Sequence, residues 1–109
     1  MIVRIWHGWT SPADADAYQE LLDSTIAPGI MAKSIPGLRG LDVLRRSSEE
    51  EVEFITVMTF DDWQAVEGFA GPEKTGSVVP PAARQLLVRY DAHSQHYETV
   101  ARHEPGADL

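Results

Sequence analysis

The sequence predicts an α+β domain: one four-stranded antiparallel sheet with helices across a single face. Two observations lead there. Residues 2 to 9 and 52 to 60 alternate side chains at a period of two, the repeat of a strand, whereas residues 18 to 26 and 63 to 70 place apolar groups at helical spacing. Capping and breaking residues separate these runs, so the chain reads strand, helix, strand, strand, helix, strand. A length of 109 residues suits one such unit, since two cores of half that size would each be marginal.

The opening strand points Val3, Ile5, His7 and Trp9 one way and Ile2, Arg4 and Trp6 the other, so both faces are largely apolar. Ser11 suits a helix N-cap, Pro12 the first helical position, and Asp14 the first turn, where an acid meets free amides. Tyr18, Leu21, Leu22, Thr25 and Ile26 then form the stripe expected to be buried. Pro28-Gly29 predicts a kink or a break into a second short helix, and Ile35-Pro36-Gly37 ends it. From Leu38 to Arg46 a second strand follows, with mixed faces that suit a sheet edge. Ser47 to Glu50 make a polar hairpin turn into the third strand, where Val52, Phe54, Thr56, Met58 and Phe60 oppose a face that carries Ile55 and Val57.

Asp61 with Gln64 three residues on has the pattern of a capping box, and Trp63, Val66, Phe69 and Ala70 form the next apolar stripe. Gly71-Pro72 stops that helix. Pro72 to Val79 read as a loop, Pro80-Pro81 open a short helix over Ala82 to Leu87, and a last strand runs from Gln95 to Ala101. In it His96, Glu98 and Val100 share one side, with Gln95, Tyr97 and Thr99 on the other. The domain is thus expected to span residues 1–101, with 102–109 as a C-terminal tail.

This order is that of the split βαβ, or ferredoxin-like, arrangement, in which right-handed crossovers bring both main helices to one face and set strands one and three side by side in the middle. The second face is then left in water with several large apolar groups. At about 25 cal/mol per Å2 of apolar area, leaving four such side chains half exposed forgoes several kcal/mol, comparable with the whole stability of a domain. A second copy of the sheet is the natural cover, giving an isologous homodimer and an eight-stranded dimeric α/β barrel. The alternative is a monomer in which the proline-initiated helix and the tail fold back as a lid.

Composition excludes several classes. Nine basic against seventeen acidic residues give a net charge of −8, and the Arg45-Arg46 pair runs straight into acidic residues, so no nucleic-acid partner is expected. No apolar run approaches the roughly 20 residues of a membrane span, and the first residues lack a signal peptide's pattern, which places the chain in the cytoplasm without a membrane partner. With no cysteine there is no thiolate nucleophile and no cysteine-rich zinc site. Phosphate loops, nucleophile elbows and cleft-spaced carboxylate pairs are also missing from the sequence, which narrows an enzyme to acid–base or cofactorless redox chemistry.

Among candidate site residues, His7 can serve as a general base if it faces a pocket, because imidazole titrates near working pH. His96 shares a strand face with Glu98, whose carboxylate could orient the ring. The first and last strands should be neighbours, bringing Arg4 toward Glu98. That group suits substrate binding or a structural ion pair at the dimer interface. His7 and His96 lack a spacing that guarantees convergence on a metal, so none is expected. Trp6 and Trp63 are expected in the core, and Trp9, near its strand end, against a pocket. Tyr18 and Tyr90 could offer a phenol to a ligand, and Arg84 and Arg89 could meet an anion; His93 and His103 are expected in water.

The strand IVRIWHGW, the hairpin GLRGLDVLRRSSEEEVEFITVMTF, the helix DDWQAVEGFAG and the closing QHYETV together resemble the antibiotic biosynthesis monooxygenase-like family of dimeric α/β-barrel proteins. The third strand running directly into a helix with Trp63 and Ala65-Val66 carries most of that similarity. The resemblance implies oxidation of a small aromatic or polyketide-like substrate by O2 without flavin or metal, the deprotonated substrate itself supplying electrons. Of the site residues it carries over only the position of Trp63; on the residues' own chemistry the catalytic candidates are His7 or His96 as base, with Trp9, Trp63, Arg4 and Glu98 as substrate-binding candidates. Haem binding or degradation, and non-catalytic binding of a small ligand, are the alternatives on the same scaffold. Better-known members are similar in placing an asparagine near the tryptophan or around haem. This chain contains no asparagine, has Thr59 one helical turn before Trp63, and has Phe69 where related helices often carry histidine.

Overall fold

The computed structural model describes residues 1–106 of the chain. Its elements are β1 (Ile2–Thr10), a 3-10 turn (Pro12–Asp14), α1 (Ala15–Leu21), a π-helical turn (Leu22–Ile26), α2 (Ala27–Ala32), β2 (Leu38–Ser47), β3 (Val52–Phe60), α3 (Trp63–Ala70), α4 (Pro81–Arg84), β4 (Leu87–Tyr90) and β5 (Gln95–Glu98). The sheet is antiparallel, in the order β2-β3-β1-β4, with β5 also on β1. β1 and β3 therefore hold the centre and β2 an edge, as the sequence predicts. Among the described residues there are five strands rather than four. β4 pairs with residues 8–10 of β1 and β5 with residues 2–5, so two short strands share the edge where one was expected. Leu87 lies in β4 and not in the predicted helix, which is a single turn; the free edge of β1 at Trp9 and Thr10 takes up the β4 backbone instead.

The register of β1 with β3 sorts the faces. Ile2, Arg4, Trp6 and Thr10 are buried beneath the helices with Val52, Phe54, Met58 and Phe60, while Val3, Ile5, His7, Trp9, Ile55 and Val57 occupy the other face. The covered face holds two separate apolar clusters. Tyr18, Leu22, Val52, Phe54, Ala15 and Ala83 make one; Ile2, Met58, Phe60, Ala65 and Val66 make the other. Tyr18 meets Phe54 edge-on at 4.9 Å between ring centroids, a favourable quadrupole arrangement. Mid-sheet, where Arg4 and Thr56 replace large apolar groups, the clusters do not merge.

Several local expectations shift by a few residues. Ser11 does cap: its hydroxyl accepts from the Asp14 N–H at 3.3 Å. The irregularity expected at Pro28-Gly29 sits one turn earlier, as the π turn. Pro28 cannot donate to the carbonyl four residues before it, and its ring crowds that carbonyl, so the widened turn precedes the ring. Thr25 of the predicted buried stripe is exposed. α3 is capped by Asp62, which accepts from the Ala65 N–H at 2.9 Å, and not by Asp61; that carboxylate instead forms a two-pronged pair with Arg39 at 2.6 and 2.5 Å. The guanidinium beside it holds the Asp61 carboxyl below its usual range. Trp63, predicted in the core, is 40% exposed at the start of α3.

Residues 99–106 are exposed and form neither helix nor strand, so the closing strand ends at Glu98, short of the predicted Ala101. The last three residues of the expected tail, 107–109, lie outside the described residues. Among the described residues no helix is long and apolar enough to cross a membrane.

Gly37 links α2 to β2 at φ +83°, and a Cβ there would stand 2.7 Å from the Ala65 Cβ. Both the left-handed backbone and the close approach require glycine. Gly37→Ala is expected to lower unfolding stability by about 2–4 kcal/mol, from about 1–2 for the backbone and the rest from overpacking, measured by urea denaturation.

Candidate functional site

Between the two clusters lies a cavity of about 60 Å3, bounded by the sheet, the α1–α2 segment and the loop before α4. Arg4, Trp6, Thr56 and Met58 form its floor, Tyr18, Leu22, Ile26 and Ile30 its helical wall, and Val78, Val79 and Ser94 its loop side. Typical small-molecule pockets measure about 300–1,000 Å3, so a substrate needs this one to widen. Residues 22–32 of its helical wall contain the π turn and Pro28, which interrupt the regular helical hydrogen-bond ladder.

The floor is organised by two side chains that tie β1 to the crossing loop. The Trp6 indole N–H donates to the Ser77 Oγ at 3.1 Å and to the Asp91 carbonyl at 3.0 Å, and the Ser77 hydroxyl also donates to that carbonyl. Such closeness needs Gly8, where a Cβ would meet the indole at 2.6 Å. Arg4, only 3% exposed, donates through Nη1 to the Lys74 carbonyl and to His96 Nε2 at 3.0 Å, and through Nη2 to the Gly76 carbonyl at 2.9 Å. Its guanidinium lies 5.4 Å over the Phe69 ring, a cation–π contact. Burial lowers its pKa, yet an arginine stays charged.

Because arginine can only donate, His96 Nε2 is the acceptor and the ring proton sits on Nδ1. Burial first, and the Arg4 charge second, push the His96 pKa below its ordinary value. Its ring is also 5.3 Å from that of Trp63, and both border an outer hollow with Thr75, Ser94, Gln95 and Tyr97. Ser94 borders the hollow and the cavity alike, so it stands with the Arg4–His96 pair between the two.

The predicted site residues divide. Arg4 and His96 meet, as antiparallel partners on β1 and β5, but the expected approach of Arg4 to Glu98 does not occur: Glu98 pairs with Ile2 and is exposed. His7 and Trp9 project from the opposite sheet face and do not line the cavity. There His7 Nδ1 bonds to Glu53 Oε2 at 2.8 Å and stacks on Trp9 at 5.8 Å, while Arg89, paired with Glu51 at 2.6 and 2.7 Å, covers the Trp9 ring at 4.3 Å. Trp63 adjoins His96 but not the cavity. Ser94, Thr56 and the loop residues Val78 and Val79 escaped the sequence reading, since nothing in a serine after His93 marks it as interior. Arg4 did leave a signal: a lone charge between Ile2 and Trp6 on an otherwise apolar strand face.

A neutral, partly buried His96 makes folding pH-dependent. The unfolded chain takes up the imidazole proton first, near pH 6.5, so His96 stabilises the fold above that value and this contribution is lost as pH falls through the lower folded pKa. NMR titration of the imidazole carbons is expected to give a midpoint below 6.5, and Arg4→Met is expected to raise it.

No family model matches the chain, and no curated protein matches it. Solved structures do. A candidate antibiotic biosynthesis monooxygenase from Bacillus cereus superposes with a TM-score of 0.67 at 12% identity, over 95% of this chain and 97% of that one. The heme-degrader MhuD from Mycobacterium tuberculosis, with two hemes bound in its active site, gives 0.61 at 20% identity, over 95% and 100%. An ethd family protein from Bacillus halodurans gives 0.55 at 25% identity, over 92% and 100%. The resemblance drawn from the sequence therefore holds at the level of architecture: this chain has the ferredoxin-like fold of the antibiotic biosynthesis monooxygenases.

Proposed function

We propose that the chain, with residues 1–101 as its folded unit, is a cytoplasmic, homodimeric, cofactor-independent monooxygenase acting on a small aromatic or polyketide-like compound held between sheet and helices. The observation that carries this reading is the mostly apolar cavity whose wall residue Arg4 is hydrogen-bonded to the His96 imidazole, which itself borders the adjoining outer hollow. In the reaction, an activated ring methylene loses a proton, and the resulting carbanion or enolate reduces O2. One oxygen atom ends as the new carbonyl and the other leaves as water, so the four electrons come from the substrate and no external reductant enters. His96 takes the first proton on Nε2 once that atom exchanges its Arg4 N–H for the substrate. Trp63 positions the imidazole from outside. His7, Trp9 and Glu98 border neither the cavity nor the outer hollow that holds His96 and Trp63, and this reading gives them no part in the chemistry.

Haem, which MhuD binds, fits these residues poorly. No histidine lines the cavity among the described residues, His96 Nε2 is engaged by Arg4, and His7 lies on the far face of the sheet. No step is assigned to it.

The homodimer is supported by the uncovered face, where Val3, Ile5, Ile55 and Val57 adjoin the half-exposed Leu44 and Tyr97. A second sheet laid on it would remove those groups from water and also cover the His7–Glu53 pair.

With chelator-treated protein and an anthrone-type phenolic substrate, oxygen uptake is expected, and His96→Gln should slow it at least tenfold. Absence of uptake, or a hemin Soret shift that depends on His96, would overturn the reading. Sedimentation should report twice the 12.1 kDa of one chain, and Ile55→Lys should return it to the single-chain mass.

A further inference from the structure

Arg4 is a cation at the cavity wall with no counter-ion among the described residues. Among the described residues none of the ion pairs includes it. Two carbonyls, an imidazole lone pair and the Phe69 face solvate its Nη1 and Nη2 side, and no acceptor meets its Nε. Dipoles of this kind offset part of the several kcal/mol that burying a charge costs, but they leave the net charge in place.

Ser94 carries a second, independent anomaly at the same cavity. It is 3% exposed, and its hydroxyl has no hydrogen-bond partner. An orphaned buried hydroxyl costs about 1–3 kcal/mol. The cavity thus pairs a free donor with an uncompensated positive charge, while Leu22, Ile26, Ile30, Leu41, Met58 and Phe69 make most of its remaining wall apolar. A water molecule can satisfy the hydroxyl; it cannot balance the charge.

We propose that this end of the cavity is an oxyanion subsite, in which Arg4 and Ser94 hold the ionised oxygen of a small apolar acid, a carboxylate or a phenolate, with its hydrocarbon body against Leu41, Met58 and Phe69. The net charge of −8 repels anions at long range, but a charge buried among apolar walls acts at contact and is little screened by salt. The subsite deepens the oxygenase reading, on which it rests for taking the cavity as the substrate site: holding the oxyanion favours the deprotonated, electron-rich form that O2 must meet. Loss of the methylene proton leaves an enolate whose charge rests on a phenolate-like oxygen, and such an oxygen ordinarily ionises only near about pH 10, well above an imidazole, so without such a partner the proton transfer to His96 is uphill.

The test uses the full chain under nitrogen and reads binding alone. By calorimetry, benzoate is expected to bind at least tenfold more tightly than its neutral isostere benzamide. By absorbance, 4-nitrophenol is expected to ionise at lower pH when the protein is present. A benzoate preference alone assigns a carboxylate, a nitrophenol shift alone a phenolate, and either supports the subsite. Ser94→Ala should weaken the preferred anion at least threefold without lowering the melting temperature, because the hydroxyl it removes has no partner in the free protein. Arg4→Lys should weaken it further, and circular dichroism checks that this variant folds. The proposal is overturned if neither anionic form is preferred, or if folded Ser94→Ala and Arg4→Lys proteins both bind as the parent does. Loss of oxygen uptake with anion preference intact would remove the oxygenase reading alone; uptake without anion preference would remove the subsite alone.

Discussion

The pairing of β1 with β3, unbroken over nine residues from Ile2↔Phe60 to Thr10↔Val52, is the constraint on which the rest of this structure depends. Side chains on a strand alternate with a period of two, so a slip of one residue would exchange every member of one face for the other. In the observed register Arg4, Trp6 and Thr56 meet the helices, and His7, Trp9, Ile55 and Val57 do not. A slip of β1 would put His7 in the interior and Arg4 in water. The apolar clusters around Phe54 and around Phe60 lock β3 at the two ends of the pair, since a slip of that strand would expose both phenylalanines at about 1.5–3 kcal/mol apiece.

Between those locks the covered face is less apolar than its ends, and the cavity follows from that. Leucine or isoleucine at Arg4 and Thr56 would let the two clusters fuse across the middle of the sheet. Instead the guanidinium reaches sideways to the Lys74 and Gly76 carbonyls and the indole of Trp6 to Ser77 and Asp91. These bonds run between residues about seventy or more positions apart in sequence, apart from the internal Ser77–Asp91 contact. They fasten an otherwise irregular crossing loop over the hollow. The same two residues therefore make the space and close it.

Much of the fold was legible because its signals are local. The two central strands, the edge strand, the Ser11 cap and the Gly71 stop each depend on residues within a few positions of one another. Where the reading went wrong, a distant partner had decided. Leu87–Tyr90 became a strand because the edge of β1 was free beside it, and two short strands replaced one. Asp61 lost the capping role to Asp62 because Arg39, on the neighbouring strand, took its carboxylate. Trp63 left the core because Ala65 and Val66 are the α3 residues buried against β3.

The candidate site divides along the same line. Periodicity and composition by themselves determined which residues share a strand face, that one face would lack a helical cover, and that Arg4 was a charge in apolar company. Only the tertiary structure decided which face is inside, that Arg4 bonds to His96 and not to Glu98, and that Ser94 lines the cavity with its hydroxyl unmet. The reason is geometric. A strand's two faces are equivalent until helices pack on one of them, and these contacts join residues separated by most of the chain, where no spacing in the sequence can specify a distance.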